Sequence, residues 1–126
     1  MSEPTVKTAA APRLRVVPLP RNSHGGHLGM AERFVEQHAL QLRHVHGIGW
    51  HHWDGARWKL DEERIDVEAA IATTKRALAE ALDLPKGSER DALYADVKKA
   101  ESASGIEGML KLAGAMKPIS APARAL

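Results

Sequence analysis

Trp50-His51-His52-Trp53-Asp54-Gly55-Ala56-Arg57-Trp58-Lys59 is the stretch on which the fold turns. Asp54-Gly55 is a two-residue hairpin signal, because a type I′ turn needs two residues that tolerate positive φ. That register pairs Trp53 with Ala56 and His51 with Trp58. Successive strand residues point to opposite faces, so His51, Trp53, Ala56 and Trp58 share one face. Trp50, His52, Arg57 and Lys59 share the other. A lone hairpin is marginal in water, so the Trp53/Trp58 face is expected to pack on helices, with Trp50 as the exposed ring. His44-Val45-His46, just upstream, is short and extended in character.

Helical periodicity flanks the hairpin on both sides. Met30, Phe34, His38 and Leu42 recur every four residues, with Val35 beside them, and predict a helix from about Met30 to Gln41 entered at Gly29. Val67, Ile71, Leu78 and Leu82 predict the buried stripe of a helix over Asp66 to Leu82, which Pro85 and Gly87 end. Ser88-Glu89-Arg90-Asp91 is a capping signature for a helix that buries Leu93, Val97 and Ala100. Ser104-Gly105-Ile106-Glu107 is a second such signature. The helix after it presents Ile106, Met109, Leu110 and Ala113, and Gly108 and Gly114 weaken it by roughly 1 kcal/mol each.

Residues 1–28 carry Pro4, Pro12, Pro18 and Pro20 and no periodic apolar positions, which predicts a disordered arm. Pro118 and Pro122 mark a loose C-terminus. The expected fold class is therefore mainly α (α+β). About four helices pack on one Trp-rich β-hairpin, with a flexible N-terminal arm over 1–28, a folded part over 29–119 and loose residues over 120–126.

A chain of 126 residues fits one domain. The absence of cysteine excludes disulfides, a thiolate zinc site and a Cys nucleophile. Only Phe34, Trp50, Trp53, Trp58 and Tyr94 are aromatic, so the core is expected to be thin. No apolar run approaches the ~20 residues of a membrane helix, and no export pattern opens the chain; a cytoplasmic protein is expected. Residues 1–29 hold Lys7, Arg13, Arg15 and Arg21 against Glu3 alone, and the rest of the chain is nearly balanced. The basic character belongs to the arm.

The sequence has no phosphate-cradling Gly-Lys-Ser/Thr loop and no Gly-x-Ser-x-Gly nucleophile turn. Asp61-Glu62-Glu63 precedes a helix, where the macrodipole favours acids in any case. His44 and His46 alternate on one side and offer a chelating pair, but His51 and His52 point to opposite faces, and no acid stands at ligand spacing. The histidines are read as solvent-facing or satisfied imidazoles. With few other large side chains, the tryptophans are read first as core bulk. Their second reading is a stacking surface for single-stranded nucleic acid, with Arg57 and Lys59 supplying charge.

Four segments in order resemble a known family. Gly29-Met30-Ala31-Glu32-Arg33-Phe34-Val35, Leu42-Arg43-His44-Val45, Gly49 to Trp58 and Glu101 to Leu110 are similar to the N-terminal-like domain that precedes the helicase in poxvirus- and satellite-phage-type primase–helicase proteins of phages and plasmids. The resemblance covers about residues 28–119. Met30 stands where the family has Asn, His44 where it has an aromatic, and His27 where it has an acid. The family's strand-rich segment and superfamily 3 ATPase lie beyond Leu126, so the resemblance implies a DNA replication context without the ATPase. No catalytic residue of the family matches a position here.

The expected function is a non-enzymatic phage or prophage replication module that needs no cofactor. It would bind DNA, dock a helicase or primase, or both. Arg13, Arg15, Arg21, Trp50, Arg57 and Lys59 are the candidate nucleic-acid contacts. The alternative is a protein-interaction or oligomerisation module built on an apolar stripe too large for so small a domain to cover.

Overall fold

The computed structural model describes residues 25–126. Among them run α1 (Gly26–His38), β1 (Leu42–Val45), β2 (Gly49–Trp53), β3 (Trp58–Leu60), α2 (Ile65–Asp83), α3 (Ser88–Ala100), α4 (Ala103–Gly114) and a 3-10 turn at Ala123–Ala125. The class is α+β, as expected, but the hairpin is part of a three-stranded antiparallel sheet in the order β1-β2-β3. Leu42-Arg43-His44-Val45 pairs with His52-His51-Trp50-Gly49. The intervening turn takes Gly47 to φ +85°, where a side chain would be strained. Past β1, Ile119 accepts from the His44 N–H and the Ala121 N–H donates back to His44. Ile119 is fully buried and Ala121 is hydrogen-bonded to His44, so the folded part runs two residues past the boundary expected at 119.

The hairpin register also differs from expectation. Trp53 pairs with Trp58 and His52 with Lys59, so four residues form the loop. The Asp54 carboxylate accepts from the Ala56 and Arg57 N–H groups at 2.9 Å each. This side-chain bonding replaces the tight turn. The register moves by two residues, so the face assignments of His51, Trp53, Trp58, Trp50, His52 and Lys59 survive.

α1 begins at Gly26, earlier than periodicity predicts. The reason lies 70 residues away: Asp96 on α3 accepts from the Gly26 N–H at 3.0 Å and so satisfies an otherwise orphaned helix-start donor. Residues 26–28 therefore belong to the folded part. α1 buries Met30, Phe34 and Val35. Its Arg33 grips Glu80 on α2 at 2.7 Å, and His38 meets Thr73, which donates to Gln37.

α2 corrects the predicted stripe. It buries Ala69, Ala70, Thr73, Thr74, Ala77 and Ala81, while Ile71 and Leu82 are 42% and 54% exposed. Small residues let α1, α3 and α4 approach closely, so the larger apolar side chains are turned outward. α3 and α4 bury the residues predicted, with Ile106 only partly covered. The caps differ: no side chain caps α3, and Ser102 rather than Ser104 caps α4, accepting from the Gly105 N–H at 2.9 Å.

Asp61 takes the capping role for α2. Its two carboxylate oxygens accept from the Glu63, Ile65 and Asp66 N–H groups. Burial pushes this carboxyl up, but the bonds from Asp66, Ile65 and Glu63 outweigh it and hold it below its ordinary value. A depressed folded-state value gives stability that is complete above the unfolded value of about 3.9 and fades as pH falls through the folded one. Asp61→Ala is expected to cost about 1 kcal/mol near neutral pH. Urea unfolding at pH 7 and at pH 3 checks this, and the gap between variant and parent should narrow in acid.

Candidate nucleic-acid interface

The sheet has tryptophans on both faces, and the helices cover the face opposite to the one expected. Trp50 packs edge-on against Phe34 at 5.7 Å and against His44 at 5.1 Å between ring centres, beside buried Leu42. It is half-buried against the core, not the freely exposed ring. Trp53 and Trp58 form an edge-on pair at 5.4 Å on the other face. Both are half-buried, and the Trp53 Nε1–H is buried without an acceptor among the described residues. Leaving such a donor unmet costs about 1–3 kcal/mol.

Arg43 organises that outer face. Its guanidinium lies 4.6 Å over the Trp58 ring and donates to the carbonyls of Ala39 and Leu42. Ala39 is the C-cap of α1, where a cation is favoured by the helix dipole. Arg43 is buried, and desolvation pulls its pKa down from the ordinary arginine value. This residue was missed as a site residue; its alternation with Leu42 and His44 within β1 was the available signal.

Arg57 is exposed at the hairpin loop, 3.7 Å from Asp54. Such an exposed pair is weak, so Arg57 is available to an outside anion. Lys59 is exposed on β3, opposite His52. Of the six predicted contacts, Arg57 and Lys59 sit on the same hairpin as the Trp53–Trp58 pair. Trp50 faces the helices, and Arg13, Arg15 and Arg21 lie outside the described residues.

Trp50 also lines a cleft of about 720 Å³ between the sheet, the start of α2 and α4. His44, His46, Arg64, Glu107 and Lys111 line it too. His44 and His46 therefore share one side, as their alternation predicts. Burial, then neighbouring His46, lowers the His44 pKa, which keeps the ring neutral at neutral pH. Arg64 adopts the left-handed conformation at φ 56° and reaches Asp66 at 3.2 Å and Glu107 at 3.8 Å. Among the described residues no group of three or more His, Asp or Glu side chains is placed to hold a metal ion, and no helix is long and apolar enough to cross a membrane.

Four helices on a small antiparallel sheet, with tryptophans on both of its faces, define the class of domain. Residues 31–125 match the family described as D5 N terminal like. The chain belongs to that family, the N-terminal-like domain of primase–helicase proteins that its four segments resemble. Searches of curated proteins and of solved structures gave no match.

Proposed function

We propose that the chain is a non-enzymatic DNA replication module of phage or prophage origin, working in the cytoplasm, that holds single-stranded DNA on the outer face of its sheet. The supporting observation is the half-buried Trp53–Trp58 pair with Arg43 over one ring and Arg57 exposed at the loop of the same hairpin; Lys59, paired with His52, is exposed at the hairpin but belongs to the Trp50 side. Bases stack on indole without regard to sequence, and basic side chains follow the phosphates. From Leu42 to Leu60 the chain holds Arg43, Arg57 and Lys59 against Asp54 alone. That local positive excess contrasts with the rest of the folded part, which is slightly acidic.

Titration of the full chain with an oligothymidylate blocked at both ends, followed by tryptophan fluorescence, tests this reading. Saturable binding at low salt that weakens as salt rises is expected. Trp58→Ala should cost about 1–3 kcal/mol of binding, roughly five- to 150-fold. Arg57→Glu should flatten the salt dependence. No binding at low salt would remove the nucleic-acid reading.

One observation favours docking of a helicase or primase as a second reading. Ile71 and Leu78 on α2 and Ile106 on α4 line an apolar groove of about 280 Å³, and Leu82 extends the exposed stripe. Patches of this kind mark protein contacts when they are contiguous.

A further inference from the structure

α4 carries three glycines, Gly105, Gly108 and Gly114, that its own stability does not favour. A Cβ at Gly114 would press on His44 at 3.1 Å and Trp50 at 3.4 Å, so that glycine is required by close packing. Gly108 differs: a Cβ there would meet only His27 Nδ1 at 3.6 Å, an ordinary contact. A helix interior prefers almost any other residue, and Gly108 lies along the 720 Å³ cleft. Arg64 closes another side in a backbone conformation that is costly for a non-glycine residue. Its guanidinium lies 3.8 Å from Glu107 on α4, an exposed pair at the cleft's edge. The volume falls in the range of small-molecule sites.

The lining chemistry narrows the occupant. Trp50 and His44 offer an aromatic wall to a planar ring. Glu107 and Ser120 offer oxygens to exocyclic amines. Lys111 is exposed at the rim with no salt-bridge partner among the described residues, and exposed His46 stands at the same cleft. A planar, amine-bearing ring joined to an anionic group meets all three requirements.

We propose that this cleft binds a nucleotide, with the base against Trp50 and His44 and the phosphate at Lys111 and His46. The site is separate from the outer sheet face and does not depend on DNA binding there. Two sources carry this chemistry: a free nucleotide, or the phosphorylated terminus of a DNA strand.

Calorimetric titration of the full chain with dAMP, and with a short single strand carrying or lacking a 5′-phosphate, tests the proposal. Saturable binding of dAMP, or of the phosphorylated strand in preference to its unphosphorylated twin, is expected, and the pattern tells which source is used. His46→Glu and Lys111→Glu, which place a negative charge where the phosphate would sit, should each lower that affinity at least tenfold. Circular dichroism melting reports whether each variant is folded. Both variants should retain binding of the end-blocked oligothymidylate if the outer face holds it, which separates failure of this site from failure of the sheet reading. The proposal is overturned if neither dAMP nor the phosphorylated strand saturates up to millimolar concentration, or if both folded variants bind as the parent does.

Discussion

Phe34→Ala should leave the domain close to unfolding at room temperature. Phe34 is fully buried at the centre of a core otherwise built largely from alanine and medium-sized side chains. It touches His38 on its own helix and Trp50 on the sheet, with ring centres at 5.0 and 5.7 Å, so it joins the helical and strand layers. Deleting a buried phenyl ring costs about 3–5 kcal/mol. A small domain holds only about 5–15 kcal/mol in total, and one of this size lies toward the low end. With about 4–8 °C of melting temperature per kcal/mol, thermal unfolding should shift down by at least about 12 °C. Phe34→Leu keeps most of the volume and should cost roughly half as much.

Glycine substitutions along α4 should split in sign. At Gly105 an added Cβ would lie 2.4 Å from the Lys99 carbonyl oxygen and 2.8 Å from Ala100 Cα. Both obstacles are backbone at the end of α3, so the turn joining α3 to α4 must move. Overpacking of this kind costs about 1–3 kcal/mol or more, against a gain of at most about 1 kcal/mol in helix propensity. Gly105→Ala should therefore destabilise and Gly105→Val should do so more severely. Gly108→Ala, three residues on, meets no such obstacle and should gain about 0.5–1 kcal/mol. Denaturant midpoints for the three variants and the parent decide the matter.

The elements were legible where local chemistry fixes them. Leu93, Val97 and Ala100 mark the inner side of α3, and the Trp-Asp-Gly stretch marks the strand reversal. What escaped was set at long range. Asp96 reaches back to start α1 at Gly26. α2 buries alanine and threonine because close helix approach requires small side chains, so hydropathy alone selects the wrong face. Which side of the sheet meets the helices was not readable either, since both carry tryptophan; Phe34 on α1 and Leu42 on β1 settle it in favour of Trp50. Within the candidate site, Arg57 and Lys59 were legible as exposed hairpin cations. Arg43 was not, because its part depends on the carbonyls that end α1 and on Trp58 two strands away. The cleft was invisible for the same reason, being assembled from the sheet, the start of α2 and α4.

Three tryptophans give three indole N–H signals, and the proposed role of the sheet rests on two of them. The decisive measurement is a nuclear magnetic resonance titration of the full, isotope-labelled chain with end-blocked oligothymidylate at low salt, with the signals assigned through Trp→Phe variants. The account predicts that the Trp53 and Trp58 signals move together and saturate, and return as salt is added. Stationary Trp53 and Trp58 signals with DNA in excess would contradict it.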